Sequence, residues 1–262
     1  MTQAPETAAG DAHTRAQAMQ QTWDTSFQDQ VTAAAYNTAP VEALVRTVSH
    51  HLRGRIEPKD YGRLSFMEVG CGAAPNLVWL AERGIAVSGV DISPTALDLA
   101  RQAFARRGLQ DRLRRLEHGS ATALPFPDNS FDGVLESCVF QHLARADRAA
   151  AFAEVVRVLK PGGVFVGHML NQRHSTFVAQ RAHQLADDPG TVRLKSDKVA
   201  NKFDLETIGL AHFFAREEYA DLLRGCATVD PCELTYELPR VESERRGYAR
   251  YMQAMWIVYA VK

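Results

Sequence analysis

Two acids bracket a glycine turn in this chain, and their spacing selects a ligand chemistry. The apolar run Leu64 to Val69 contains Glu68 and stops at Gly70-Cys71-Gly72-Ala73-Ala74-Pro75-Asn76. Pro75 stands where a helix begins, a position that tolerates its missing N–H. A strand, a tight glycine turn and a helix N-terminus together hold part of a nucleotide-like ligand. The dinucleotide fingerprint G-x-G-x-x-G would need a third glycine at position 75, and that residue is Pro75. Glu68 lies at the carboxyl end of its strand, where open α/β sheets bind ligands. A carboxylate there repels a pyrophosphate and attracts a cation. A second apolar run, Ile85 to Val90, ends at Asp91. An acid about 20 residues after the glycine turn, at the next strand tip, accepts hydrogen bonds from ribose hydroxyls.

Glu68-Val69-Gly70-Cys71-Gly72 resembles motif I of the class I S-adenosylmethionine-dependent methyltransferases, of the small-molecule type. S-adenosylmethionine carries an ammonium and a sulfonium and no phosphate, which suits a carboxylate at the turn. The resemblance implies that Glu68 organises contacts to the methionine end and that Gly70 and Gly72 admit the cofactor. It also places Cys71, Asn76 and Ile92 in the cofactor site. Ala74 occupies the third small position, where the family usually has glycine. Ser120 stands where the family usually has an acid that accepts from the adenine amino group. A serine hydroxyl accepts that bond more weakly, so the backbone N–H of Ala121 gains weight. The run Leu124 to Val134 agrees with the family in order and spacing.

Further roles follow from the same resemblance. Ser137-Cys138-Val139-Phe140-Gln141-His142-Leu143 sits over the sulfonium, and Glu136 becomes a second carboxylate near its charge. His142 falls where small-molecule relatives place a histidine facing the substrate. A neutral imidazole can take a proton from an attacking hydroxyl or amine. A residue bonded to backbone on a helix face is an equally good reading of His142. In some relatives an N-terminal tyrosine pairs with that histidine, a part open to Tyr36, and Glu136 and His168 are further catalytic candidates.

The elements that must position these groups come next. The resemblance implies an α/β, Rossmann-like seven-stranded sheet of order 3-2-1-4-5-7-6, its last strand antiparallel, flanked by helices. It is specific over residues 60 to 170 and rests on pattern alone over 215 to 262. Residues 1–11 read as a disordered tail, and residues 12–262 as a single methyltransferase domain. Within it, 12–55 form an N-terminal cap, with helices at His13–Met19 and Val41–Leu52. Trp23, Phe27 and Tyr36 lie in a polar stretch between them. Ser93 caps a helix with Pro94 at its first position, and Asp147 caps another that runs to Leu159. Residues 170–215 read as an irregular lid. Asn171, Gln172, Arg173 and His174 open it, and Asp187, Asp188, Lys195, Lys198 and Lys202 make it polar. Its end, Thr207 to Phe214, is apolar and contains His212.

Composition narrows the partner. With 30 basic and 31 acidic residues, no global field favours nucleic acid or an anionic membrane. The arginines between Arg101 and Arg115 lack interleaved aromatics and read as a solvated face. Four cysteines without paired spacing read as reduced thiols of a cytoplasmic protein, and no histidine or acid cluster has metal-ligand spacing. The expectation is an enzyme that moves a methyl group from S-adenosylmethionine to oxygen or nitrogen of a small molecule, releasing S-adenosylhomocysteine. It would work without a metal, as a monomer or homodimer, with no nucleic acid or membrane partner. Carbon methylation of a prenyl or polyketide chain, methylation of RNA or protein, and a non-catalytic cofactor sensor remain alternatives.

Overall fold

The computed structural model describes residues 12–194 and 209–262. Five strands form the first part of the main sheet: β1 (Ser65–Val69), β2 (Ala86–Asp91), β3 (Leu113–His118), β4 (Phe131–Ser137) and β5 (Leu159–Leu170). Three more, β6 (Gln184–Leu185), β7 (Asp188–Arg193) and β8 (Leu210–His212), form a separate sheet. The last two, β9 (Thr228–Glu237) and β10 (Met252–Val261), return to the main sheet. Its order is β3-β2-β1-β4-β5-β10-β9. β10 runs antiparallel to both β5 and β9, while β1 to β5 pair in parallel. This is the expected Rossmann-like order. The order reverses between β1 and β4, and an open sheet has its ligand crevice outside the carboxyl ends of strands at such a point.

Alternation along the strands builds two apolar layers. Phe66, Leu135, Val164 and Val166 face α2 (Glu42–Leu52), α3 (Pro75–Ala81) and α4 (Pro94–Arg107). Met67, Val69, Val134 and Phe165 face α5 (Arg145–Val158) and α7 (Glu218–Leu222). Ser93 caps α4 as its sequence indicates, its Oγ accepting from Ala96 N at 3.1 Å. Two short helices, α6 (Ser175–Gln180) and α8 (Arg240–Arg245), lie outside these layers.

Three local expectations change. The N-terminal cap opens with one continuous helix, α1 (Ala12–Thr32), which carries Trp23 and Phe27 inside it. α5 starts after Ala144, and Asp147 sits within its first turn, bound to Arg15 instead of capping. The supposedly irregular 170–215 region contains α6 and the β6-β7-β8 sheet, on a small core of Leu170, Phe177, Val192, Leu194, Ala211, Phe213 and Met255. Asp188, read as part of a polar loop, is buried because Arg148 Nη2 lies 2.6 Å from its Oδ1. Tail residues 1–11 and the stretch 195–208, with Lys195, Lys198, Lys202 and Thr207, lie outside the described residues.

Candidate active site

The carboxyl ends of β1, β2 and β4 surround a cavity of about 290 Å3, and α1 crosses it. Its first wall is the glycine turn. Gly70 (φ 65°) and Gly72 (φ 53°) take left-handed backbone, as does Ala74 (φ 62°) at the start of α3. Gly70 also has no room for a side chain, since a Cβ there would lie 2.2 Å from Val139 Cγ2. Gly70 and Cys71 donate their N–H groups to Val90 O, and Gly72 N donates to Asp91 Oδ2 at 2.8 Å. Asp91 Oδ1 accepts from Ser93 N at 2.9 Å. The second acid therefore shapes the turn, and each of its oxygens keeps a lone pair.

Glu68 is buried on the same wall, and its Oε1 accepts from Asn76 Nδ2 at 2.6 Å. Its Oε2 has no partner, a costly state for a buried carboxylate oxygen. Burial pushes the Glu68 carboxyl up to about 8; the bond from Asn76 opposes this, and the charges of Glu136 and Asp91 reinforce it. Asn76 Oδ1 accepts from Val41 N at 2.8 Å, tying the glycine turn to the cap. Cys71 and Ile92 line the same cavity, as do Gly119, Ser120 and Ala121 opposite. Ser120 Oγ is shared with Thr122, at 2.9 Å from its Oγ1 and 3.2 Å from its N. No lysine or arginine lines the cavity among the described residues.

The other end is built by the chain leaving β4. Cys138 adopts φ 61°, and a 3-10 turn follows at Phe140–His142. Glu136, expected beside the cofactor charge, does not line the cavity. It lies fully buried, its Oε1 accepting from Val139 N at 2.6 Å and Phe140 N at 3.1 Å, so it holds the departing loop. Burial pushes it up to about 7, against those two bonds and one from the His168 backbone. His142 does line the cavity, but both ring nitrogens are occupied. Nδ1 lies 3.1 Å from Leu210 O, a carbonyl, and so donates. Nε2 lies 3.3 Å from Gln141 Nε2, whose amide is oriented by Oε1 accepting from Leu170 N at 3.0 Å. Burial lowers His142 to about 4, with the Leu210 bond opposing. It is a neutral tether between the post-β4 loop and the small sheet.

Tyr36 and His168 do not line the cavity. The N-terminal aromatic that meets His142 is Trp23, edge-on at 5.3 Å between ring centroids. His168 lies behind Ser137, with Nδ1 3.2 Å from Ser137 Oγ and 3.7 Å from Cys138 Sγ.

α1 contributes Met19, Trp23, Phe27 and Gln30 to the cavity. Spacings of four, four and three place them on one helix face. Arg15 binds Asp147 through Nε and Nη2, both at 2.8 Å. At α4, Asp24 Oδ1 accepts from Ser93 Oγ at 2.7 Å and Thr95 N at 2.9 Å. Phe27 lies over the glycine turn, its Cζ 3.3 Å from where a Gly72 Cβ would stand. Reading the sequence missed Met19 and Asp24 as site residues, while Ser137 and Leu143 lie in the segment that the resemblance placed over the sulfonium. The Met19-Trp23-Phe27 spacing was the available signal; Asp24 carries none.

Comparison with known proteins agrees with this geometry. A methyltransferase domain family model matches residues 67–167. A demethylmenaquinone methyltransferase of Symbiobacterium thermophilum is 37% identical over 116 residues, 43% of this chain and 45% of that protein. Methyltransferase GfsG of Streptomyces halstedii is 37% identical over 100 residues, 37% of this chain and 34% of that protein. The matches thus span less than half of these curated relatives. Among solved structures, the 1,6-didemethyltoxoflavin-N1-methyltransferase of Burkholderia thailandensis, with its substrate and S-adenosylhomocysteine bound, has a TM-score of 0.62 at 18% identity. It covers 100% of this chain and 93% of its own. A SAM-dependent methyltransferase of Methanosarcina mazei has a TM-score of 0.58 at 23% identity, over 75% of this chain and 92% of its own. Residues 67–167 match a methyltransferase domain model, and the sheet around them has the same fold as these two solved methyltransferases.

Proposed function

We propose that the chain is an S-adenosylmethionine-dependent methyltransferase acting on a small, largely apolar acceptor. The observation that carries this is a cavity lined by Glu68 and Asp91 at adjoining strand tips, with no lysine or arginine lining it among the described residues. A cation bound beside Glu68 would draw off its proton and pair with the carboxylate, and such a cavity offers a phosphate no cationic side chain. Bound there, S-adenosylmethionine supplies a methyl group already activated on a sulfonium. Glu68 would take the ammonium, the free lone pairs of Asp91 the ribose hydroxyls, and Ala121 N–H with Ser120 the adenine edge. Gly70, Gly72, Cys71, Asn76 and Ile92 shape that half.

Met19, Trp23 and Leu143 would give the acceptor half its apolar lining, with Phe27 and Val139 against the glycine turn and α1 crossing over the site. In-line displacement needs alignment and a dry site more than proton chemistry. The demethylmenaquinone and toxoflavin methyltransferases among the similar proteins support a small-molecule acceptor. With His142 tied at both nitrogens, oxygen or nitrogen acceptors that need no strong protein base fit better than an unactivated carbon. Calorimetry with S-adenosylmethionine, S-adenosylhomocysteine and NAD tests the reading. Binding of the first two and not of NAD is expected, with Glu68→Gln weakening S-adenosylmethionine at least tenfold. Tight NAD binding or an unaffected Glu68→Gln variant refutes it.

A further inference from the structure

One hydroxyl on the cavity wall leans on a buried histidine. Ser137 lines the cavity at the end of β4, and His168 on neighbouring β5 supports it from behind, Nδ1 to Oγ at 3.2 Å. The Cys138 thiol approaches the same nitrogen at 3.7 Å. Both neighbours carry a proton to give, and a thiol sulfur is a poor acceptor. Nδ1 has one lone pair in the ring plane, and it takes the shorter of the two contacts, from the Ser137 hydroxyl, when the imidazole proton sits on Nε2. Burial lowers His168 to about 4, so the ring stays neutral and serves as an acceptor, not as a proton store.

Ser137 then spends its proton on His168 and turns oxygen lone pairs toward the cavity. Several other polar groups on the walls are committed. His142 is tied at both nitrogens, Asn76 joins Glu68 to Val41, Asn37 Oδ1 accepts from Ala39 N, and Ser120 is shared with Thr122. We propose that Ser137 is the specificity-determining contact for the acceptor, accepting a hydrogen bond from the O–H or N–H of its nucleophilic group, and that His168 is the positioning residue that fixes the serine rotamer. The acceptor class is therefore an apolar, ring-sized molecule with a hydrogen-bond donor at the atom to be methylated. Its methylated product, lacking that donor on oxygen, loses the contact and leaves more readily. This inference rests on the methyl-transfer reading.

Equilibrium dialysis of the protein saturated with S-adenosylhomocysteine, using 1-naphthol and 1-methoxynaphthalene as matched probes, tests it. A hydrogen bond of ordinary net strength gives the naphthol about a fivefold tighter Kd. Ser137→Ala should abolish that preference by weakening the naphthol alone, with S-adenosylhomocysteine affinity held within twofold, and Ser137→Thr should keep it. His168→Phe should reduce the preference, and His168→Asn, whose side-chain oxygen can replace Nδ1, should restore it; a merely structural role predicts no such rescue. The proposal is overturned by equal binding of the two probes to the wild type, or by a preference that survives Ser137→Ala. Loss of S-adenosylhomocysteine affinity in Ser137→Ala also overturns it, by moving the serine to the cofactor half. Failure of the wild type to bind S-adenosylhomocysteine at all would refute the methyl-transfer reading itself, and this inference with it.

Discussion

Glu68 keeps a buried carboxyl without a partner on one oxygen, and its titration shows what that costs. Its pKa rises on folding, from the usual carboxylate value to about 8. Between those two values the folded protein holds more protons than the unfolded chain, so stability falls as pH rises through that window. Glu136, at about 7, adds to the same slope. The ligand-free protein should therefore lose Tm from pH 5 to pH 8, and Glu68→Gln should flatten the loss while weakening cofactor binding. Thermal melts at both pH values check this, and a Tm that rises toward pH 8 would contradict it. His142 makes the opposite case. Held near 4, it contributes no titration between pH 6 and 8, so kcat/KM should show no limb from it there. His142→Gln should leave S-adenosylmethionine affinity within twofold. The acids and glycines at residues 68 to 91 were legible because their partners lie within a few residues of one βαβ unit. The tether of His142 was not, since Leu210 lies 68 residues away and a backbone carbonyl carries no sequence signature.

At the level of elements, α1 is the most exposed part of the site. None of its described side chains is fully buried, and Asp24 and Arg15 fasten it at the two sides of the crevice. Asp24→Ala removes an acceptor shared by Ser93 Oγ and Thr95 N at the start of α4, at a cost of about 1 kcal/mol. Its larger effect should be faster hydrogen exchange across residues 12–32, with β1 and β4 unchanged; equal protection in both proteins would refute the fastening. In sequence, α1 was readable only as far as Met19, because its apolar stripe is a single residue wide and polar residues fill the rest. The β6-β7-β8 sheet was hidden for another reason. Its strands are short, and the charge of Asp188 reads as surface until Arg148 on α5, 40 residues away, is seen beside it.

Across the whole molecule, strand order and the two apolar layers followed the sequence closely, because buried parallel strands leave continuous apolar runs. The contacts that bind the layers at the crevice did not, and Gly70 shows why. Its positive φ belongs to the turn, but the closest obstacle to a side chain is Val139, 69 residues later on the neighbouring strand's exit. Gly70→Ala should lower stability by about 2 kcal/mol, roughly 5 °C in Tm for a chain of this size. Val139→Ala should return part of that loss in the double variant, because the two sites share one contact. Additive losses would show that backbone strain alone is responsible.

The position of β10 has a consequence for how the chain is made. It follows β9 in sequence, yet it lies between β5 and β9 and pairs with both along their lengths. A ribosome that has delivered every helix and the first nine strands has still left β9 with no neighbour and β5 with one side open. Such an intermediate offers two unsatisfied strand edges, the feature most prone to wrong pairing with other chains. The nascent protein therefore depends on its segment 252–261 to seal the sheet. Chaperone demand should peak just before that segment leaves the exit tunnel and drop once it pairs.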